Sequence, residues 1–272
     1  MATANRESYA AAAEKLTADT QAATAAQLAT TADEILAVAR LLRGEPRLRR
    51  ALTDPSRAGD ERSGLVRSLL TGKVGATTVD AVAALVSGRW STPNELLDAT
   101  ERLGVDTVLA AAGKADTLAE VEDELFRFGH VVSGSPQLAI TLSDPGAPVE
   151  RRAKLAEDLL RGKAQAATVQ LVRIALEGLG GRGFESSLTK LVELTAAKRD
   201  REVAYVTAAK VLTDAEEQRL AAKLSDIYGR QVSLKVDVNP SIIGGLSVRV
   251  GSDLYDGTIL RRLNEARQAF AK

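Results

Sequence analysis

The chain repeats itself. Residues 35–88, "ILAVARLLRGEPRLRRALTDPSRAGDERSGLVRSLLTGKVGATTVDAVAALVSG", align without a gap to residues 125–178, "LFRFGHVVSGSPQLAITLSDPGAPVERRAKLAEDLLRGKAQAATVQLVRIALEG". The shift is about 90 residues, and roughly a third of the positions are identical. Gly44 and Pro46 match Gly134 and Pro136; Asp54 and Pro55 match Asp144 and Pro145; Leu69, Leu70, Gly72 and Lys73 match Leu159, Leu160, Gly162 and Lys163. The identities fall on turn residues and on apolar positions, as they must if one fold was copied. Whatever the first half becomes, the second becomes too.

Each copy reads as a helical bundle. Leu28, Ala32, Ile35, Ala39 and Leu42 recur at three and four residues, the spacing of one buried helix face, and so do Leu118, Val121, Leu125, Phe128 and Val132. Aromatic residues make up only 3% of the chain, so these cores are built from Ala, Leu and Val, which lets helices approach closely. Gly44 and Gly134 are placed to end those helices as left-handed caps. Helices are expected over Glu61–Leu70 and Ala76–Val86, and again over Val149–Leu160 and Ala166–Leu176. Thr92-Pro93-Asn94-Glu95 is a capping box with Pro at the first helical position. The helix it opens continues toward Gly113, so the last helix of copy one is also the first of copy two. The expected division is 1–105 for copy one, 106–200 for copy two, with a helix over about 93–113 shared, and 201–272 for a different module.

From Glu202 the pattern changes. "VAYVTAA" (Val203–Ala209) reads as a strand. Thr213-Asp214-Ala215-Glu216 opens a helix that ends at Tyr228-Gly229. "VSLKVDV" alternates, with Val232, Leu234, Val236 and Val238 on one face of a half-buried strand. Pro240 stops it, Ile242 and Ile243 plug a core, Gly244-Gly245 turns the chain, and "LSVRV" returns as a third strand. Asp256-Gly257 is a further tight turn. "TILRRLNEARQAF" closes as an amphipathic helix. The fold class is mainly α: two tandem helical bundles and a small α+β module of order β-α-β-β-α.

Chemistry is sparse. The 36 basic and 36 acidic residues cancel, which argues against nucleic acid as the main partner. The basic stretch "RLRR" (Arg47–Arg50) reads as a solvated helix face. There is no cysteine, and His130 is the only histidine, so neither a thiolate metal site nor a histidine triad can be assembled. "GLGGRG" (Gly178–Gly183) matches a dinucleotide-binding spacing, but that fingerprint needs a preceding strand, and here it follows the helical run "VQLVRIALEG". It reads as an interhelical loop. Gly72-Lys73 and Gly162-Lys163 lack the rest of a phosphate loop and read as helix caps. No catalytic residue, cofactor site or metal site is expected. No apolar run reaches the roughly 20 residues that span a bilayer, and the N-terminal residues lack the pattern of a secretory signal. A cytosolic chain is expected, one that could join a membrane complex through a partner.

"VDVNPSIIGGLSVRVGSDLYDGTILRRLNEARQAF" closely resembles the C-terminal signature of the delta subunits of F-type ATP synthases, the oligomycin-sensitivity-conferring family. Pro240, Ile242, Ile243, Gly244, Gly245, Asp256 and Gly257 stand at its signature positions. Asn239 replaces the usual Asp and Thr258 the usual Ser. The second bundle is a departure, since typical members carry one. The resemblance implies a non-catalytic stator subunit of the peripheral stalk, one copy per complex, peripheral on the cytoplasmic face of the plasma membrane and without membrane insertion. The implied partners are the N-terminal helices of the α subunits and the b subunit. The implied groove for an α-subunit helix lies between the first and fifth helices of a bundle. In copy one that points to Tyr9, Ala12, Val79, Val82 and Ala83; in copy two, to Val108, Ala111, Val169, Val172 and Leu176. Copy two adjoins the C-terminal module as the single bundle does in ordinary members, yet either copy could hold the role. Two other readings stand beside this one: a free-standing adaptor that borrowed the C-terminal module, and an enzyme holding a nucleotide on "GLGGRG".

Overall fold

A computed structural model describes residues 3–199, 201–229, 231–250, 253–259 and 261. The chain divides into two compact units, residues 1–189 and 190–272.

The first unit is helical. Copy one runs through α1 (Thr3–Asp19), α2 (Ala25–Gly44), α3 (Pro46–Leu52), α4 (Gly59–Leu70), α5 (Ala76–Ser87) and α6 (Pro93–Lys114). Copy two continues through α7 (Leu118–Ser133), α8 (Pro136–Ser143), α9 (Val149–Leu160) and α10 (Ala166–Glu177). A single 3-10 turn at Leu179–Gly181 leads into α11 (Phe184–Lys198), whose residues from Lys190 onward belong to the second unit. Two capping boxes fix helix starts: Thr24 with Gln27 opens α2, and Thr92 with Glu95 opens α6. α6 is one uninterrupted helix of 22 residues. The five apolar positions of α2 picked out by spacing are all buried, as are Val121, Leu125, Phe128 and Val132 on α7. Copy one closes around Ile35, Leu42, Leu52, Val82, Leu85, Leu96 and Leu103.

The cap glycines differ from expectation. Gly134 has φ −73°, and Gly44 lies within the last turn of α2, so neither is left-handed. Each helix instead passes almost directly into a Pro-initiated helix, which leaves no room for a reversing cap. Gly72 (φ +79°) and Gly162 (φ +69°) do take the left-handed form, one residue past the caps of α4 and α9.

The duplication extends to polar fixtures. The N-caps of α5 and α10, Gly75 and Gln165, make no side-chain cap of their own. Glu34 supplies it for α5, accepting from the Gly75 N–H at 3.0 Å and from Thr78 Oγ1 at 2.5 Å. Glu124 does the same for α10, accepting from the Gln165 N–H at 2.8 Å and from Thr168 Oγ1 at 2.5 Å. A carboxylate on orphan amides at a helix N-terminus also favours the helix dipole. Arg62 and Arg152 are the second pair. Arg62, 5% exposed, donates to five backbone carbonyls. They are Asp54 and Arg57 in the α3–α4 loop and Val86, Ser87 and Gly88 at the end of α5. Arg152 reaches the end of α8 at Leu142 and the α8–α9 loop at Ala147.

The second unit contains β1 (Arg201–Ala208), α12 (Asp214–Tyr228), β2 (Gln231–Val238), β3 (Leu246–Val250) and β4 (Asp253–Asp256). The sheet order is β2-β1-β3-β4; β1 pairs β2 in parallel, and β3 pairs both β1 and β4 antiparallel. α12 starts at the Thr213–Glu216 capping box and ends on left-handed Gly229, as its sequence predicts. Its Leu224 packs with Ala204, Val206, Val232, Val248 and Val250. Three features depart from the sequence reading. β4 is an additional strand. β2 and β3 are not neighbours, so Gly244-Gly245 belongs to a connection that crosses the end of β1, not to a hairpin. Ile243 is 72% exposed and Ile242 only half-buried, because that crossover lies outside the sheet's packed face. Lys235, on the opposite face of β2 from Val232, is buried as well. Of the expected terminal helix, Ile259 and Arg261 are helical; most of the rest lies outside the described residues.

Candidate functional site

Each set of groove residues falls on one adjoining pair of helices. In copy one, Tyr9 and Ala12 lie on α1 and Val79, Val82 and Ala83 on α5. Ala12, Val79, Val82 and Ala83 are buried members of the copy-one core; Tyr9 packs half-buried at its edge. The Tyr9 hydroxyl donates to Asp106 Oδ2, and Arg102 Nε donates to Asp106 Oδ1 at 2.9 Å. Burial and the neighbouring Asp106 carboxylate push the Tyr9 phenol well above its ordinary range, so it stays a protonated donor. In copy two, Val108 and Ala111 lie on α6 and Val169, Val172 and Leu176 on α10. All are buried except half-buried Val169. In both copies these side chains bind the first and fifth helices together, and Tyr9 and Val169 are the members that reach partial exposure.

The signature residues form a staple around the end of β1. The Asn239 N–H donates to the Ala208 carbonyl at 2.9 Å, and the Ala209 N–H donates to the Gly245 carbonyl at 3.3 Å. Asn239 Oδ1 accepts from the Ser241 N–H at 3.0 Å, which turns the chain directly after β2. The Ile259 N–H donates to the Gly244 carbonyl and the Gly257 N–H to the Leu246 carbonyl, both at 3.0 Å. Asp256 Oδ1 accepts the Thr258 N–H at 2.9 Å, and these bonds hold its carboxyl below the usual carboxylate range. Gly245 has φ +84°, and a Cβ there would lie 2.4 Å from the Gly257 carbonyl oxygen. Only glycine fits. Gly244, Gly245, Asp256 and Gly257 are therefore structural parts of one closure, while Pro240 and Ile243 stand exposed on its outside.

The glycine-rich motif sits between α10 and α11, with no strand before it. Gly180, with φ +58°, donates its N–H to Glu101 Oε2 at 2.9 Å. The dinucleotide-like amide is thus filled by a carboxylate of the chain itself. Asp98 lies beside the loop; burial first, then Glu101, pushes its carboxyl above the usual range, against the pull of Arg182 and Arg43. His130 is exposed in the last turn of α7. No helix among the described residues is long and apolar enough to cross a membrane.

Sequence reasoning missed Arg62, Arg152, Glu34 and Glu124. Their signal was present, since each pair is an identical charged residue at the 90-residue shift. It had no local pattern to give it meaning.

Comparison with known proteins agrees with the signature. The family described as ATP synthase delta (OSCP) subunit matches residues 106–270, which is copy two and the sheet module together. "ATP synthase subunit delta" of Salinispora arenicola is 60% identical over 271 residues, covering 100% of this chain and 99% of that one. The protein of the same name from Streptomyces griseus subsp. griseus is 42% identical over 271 residues, covering 100% of both. The extra bundle copy is therefore common to these relatives. A chain of the Toxoplasma gondii mitochondrial ATP synthase hexamer covers 62% of this chain and 95% of its own, at 18% identity and TM-score 0.39, too distant to add to the argument. The chain belongs to the ATP synthase delta (OSCP) subunit family.

Proposed function

We propose that this chain links the α subunits of the catalytic head to the b-subunit stalk of a rotary ATP synthase, and by doing so resists rotor torque. Family membership makes it a peripheral-stalk subunit of that enzyme, a structural part of a membrane-associated assembly. The finer reading is that it has no active site of its own and sits on the cytoplasmic face of the membrane. A bundle copy grips an α-subunit N-terminal helix along its first and fifth helices, and the 201–272 module holds the b stalk. Helix-in-groove docking is a recognised mode for an amphipathic partner helix. The single observation that carries the proposal is the extent of the family match, residues 106–270: one bundle plus the sheet module is the family's unit. Copy one, outside that match, is the addition.

A coupling assay tests it. In inverted membrane vesicles stripped of this chain, the head is expected to hydrolyse ATP without acidifying the lumen. Adding back the full chain restores acidification. Unchanged proton pumping without the chain would contradict a stator role.

A further inference from the structure

α2 and α10 belong to different copies, yet long side chains bridge them at two points. Gln170 Nε2 donates to Asp33 Oδ1 at 2.6 Å, and Arg40 Nε donates to Glu177 Oε1 at 3.1 Å. The two bridges are spaced alike on both helices, 33 to 40 and 170 to 177, which is two turns of a parallel pair in register. Arg43 extends the contact. Its Nη1 lies 3.6 Å from Glu177 Oε2, and its Nη2 donates to Glu101 Oε1 at 2.7 Å. Glu101, on α6 and 3% exposed, accepts the Gly180 N–H with its other oxygen. One buried carboxylate therefore holds a guanidinium of copy one and a loop amide of copy two at once. Such charge-assisted bonds are strong when both oxygens are used.

These residues break the duplication. At the 90-residue shift Glu177 corresponds to Ser87 and Gln170 to Asp80, while Arg40 and Arg43 correspond to His130 and Ser133. The fixtures inside each bundle behave oppositely: Glu34 and Glu124, Thr78 and Thr168, Arg62 and Arg152 are the same residue in both copies. What each bundle needs to fold is duplicated. What joins them is not, apart from Asp33, which matches Asp123.

We infer that Arg40, Arg43, Glu101, Glu177 and the Gly178–Gly183 loop form a clasp that fixes the two bundle copies as one stiff body. A shared helix alone is a flexure, because long helices bend along their length. The clasp braces that flexure from the side, at contacts away from the α6 axis. The "GLGGRG" spacing thereby has its use: it presents the Gly180 amide to Glu101.

Hydrogen exchange on the full chain, read by mass spectrometry, tests the clasp. In the unsubstituted chain the amides of 33–43 and 178–183 exchange in one common opening event. Arg40→Glu and Glu177→Arg each speed exchange in both segments by about tenfold or more, and the double reversal Arg40→Glu with Glu177→Arg recovers only part of that loss, because Arg43 and Arg173 still face position 177. Glu101→Gln, which keeps volume and an acceptor for Gly180, speeds exchange of both segments without unfolding α4 or α5. Separate exchange of the two segments in the unsubstituted chain, single reversals that change nothing, or a double reversal no better than the singles would overturn the clasp.

Discussion

Gly245→Val unfolds the second unit. The backbone at Gly245 has φ +84°, a region a β-branched residue adopts only at a cost, and the new Cβ would overlap the Gly257 carbonyl. That carbonyl cannot step aside, because the Gly257 N–H is tied to Leu246 and Thr258 to Asp256. The combined strain is about 3 kcal/mol or more, a large share of what holds a small domain together. The unit's core is itself modest, centred on Ala204, Val206, Leu224, Val232, Val248 and Val250. Amides of β1, β2 and β3 are therefore expected to lose protection, while those of α2, α5 and α6 keep theirs. Gly245→Ala, with the same φ and the same overlap but no branching, shows a smaller loss in the same place. Protection of the sheet unchanged by Gly245→Val would mean that the crossover is not the closure described.

Arg62→Ala is the second large effect. The side chain is buried, and its guanidinium serves five carbonyls, three of them at the C-terminal end of α5. A cation there satisfies orphan acceptors and complements the helix dipole. Removing it leaves several carbonyls without partners in a closed space, and a loss of about 3–5 kcal/mol is expected. Arg62→Lys recovers little, because one ammonium cannot reach a fork of carbonyls. Arg152→Ala costs less, since Arg152 donates to only two of the carbonyls among its described contacts. Chemical denaturation of the three variants, followed by far-UV circular dichroism, ranks them. Equal losses for Arg62→Ala and Arg152→Ala would show that the two fixtures are energetically alike despite their different contacts.

Most of the fold was legible because its punctuation is local. Thr92 with Glu95, Thr213 with Glu216 and Gly229 each act within four residues, so the sequence marks these helix ends directly. The duplication then doubled the evidence for α4, α5, α9 and α10, whose bounds lie within two residues of expectation. The misreadings have physical sources too. β4 is short and holds only Leu254 and Tyr255 between two aspartates, too little alternation to declare a strand. Ile243 is apolar and reads as core, but the sheet order sends its loop across the end of β1 and leaves it exposed. At the junction of the copies the information is of another kind. Arg43 and Glu101 are 58 residues apart, Glu101 and Gly180 are 79, and Arg40 and Glu177 are 137. No periodicity connects such positions, so only the folded chain brings them together. The family signature told more about membership than about contacts: Gly245 and Asp256 serve the module's own closure.

The most direct test of the stator account is cross-linking mass spectrometry on the intact membrane complex containing this chain. The account predicts links from a bundle copy to α-subunit N-termini and links from residues 201–272 to the b stalk. The position of the first set also names the gripping copy. A complex in which the chain cross-links to neither would contradict the account and leave a helical adaptor that carries this module for another partner.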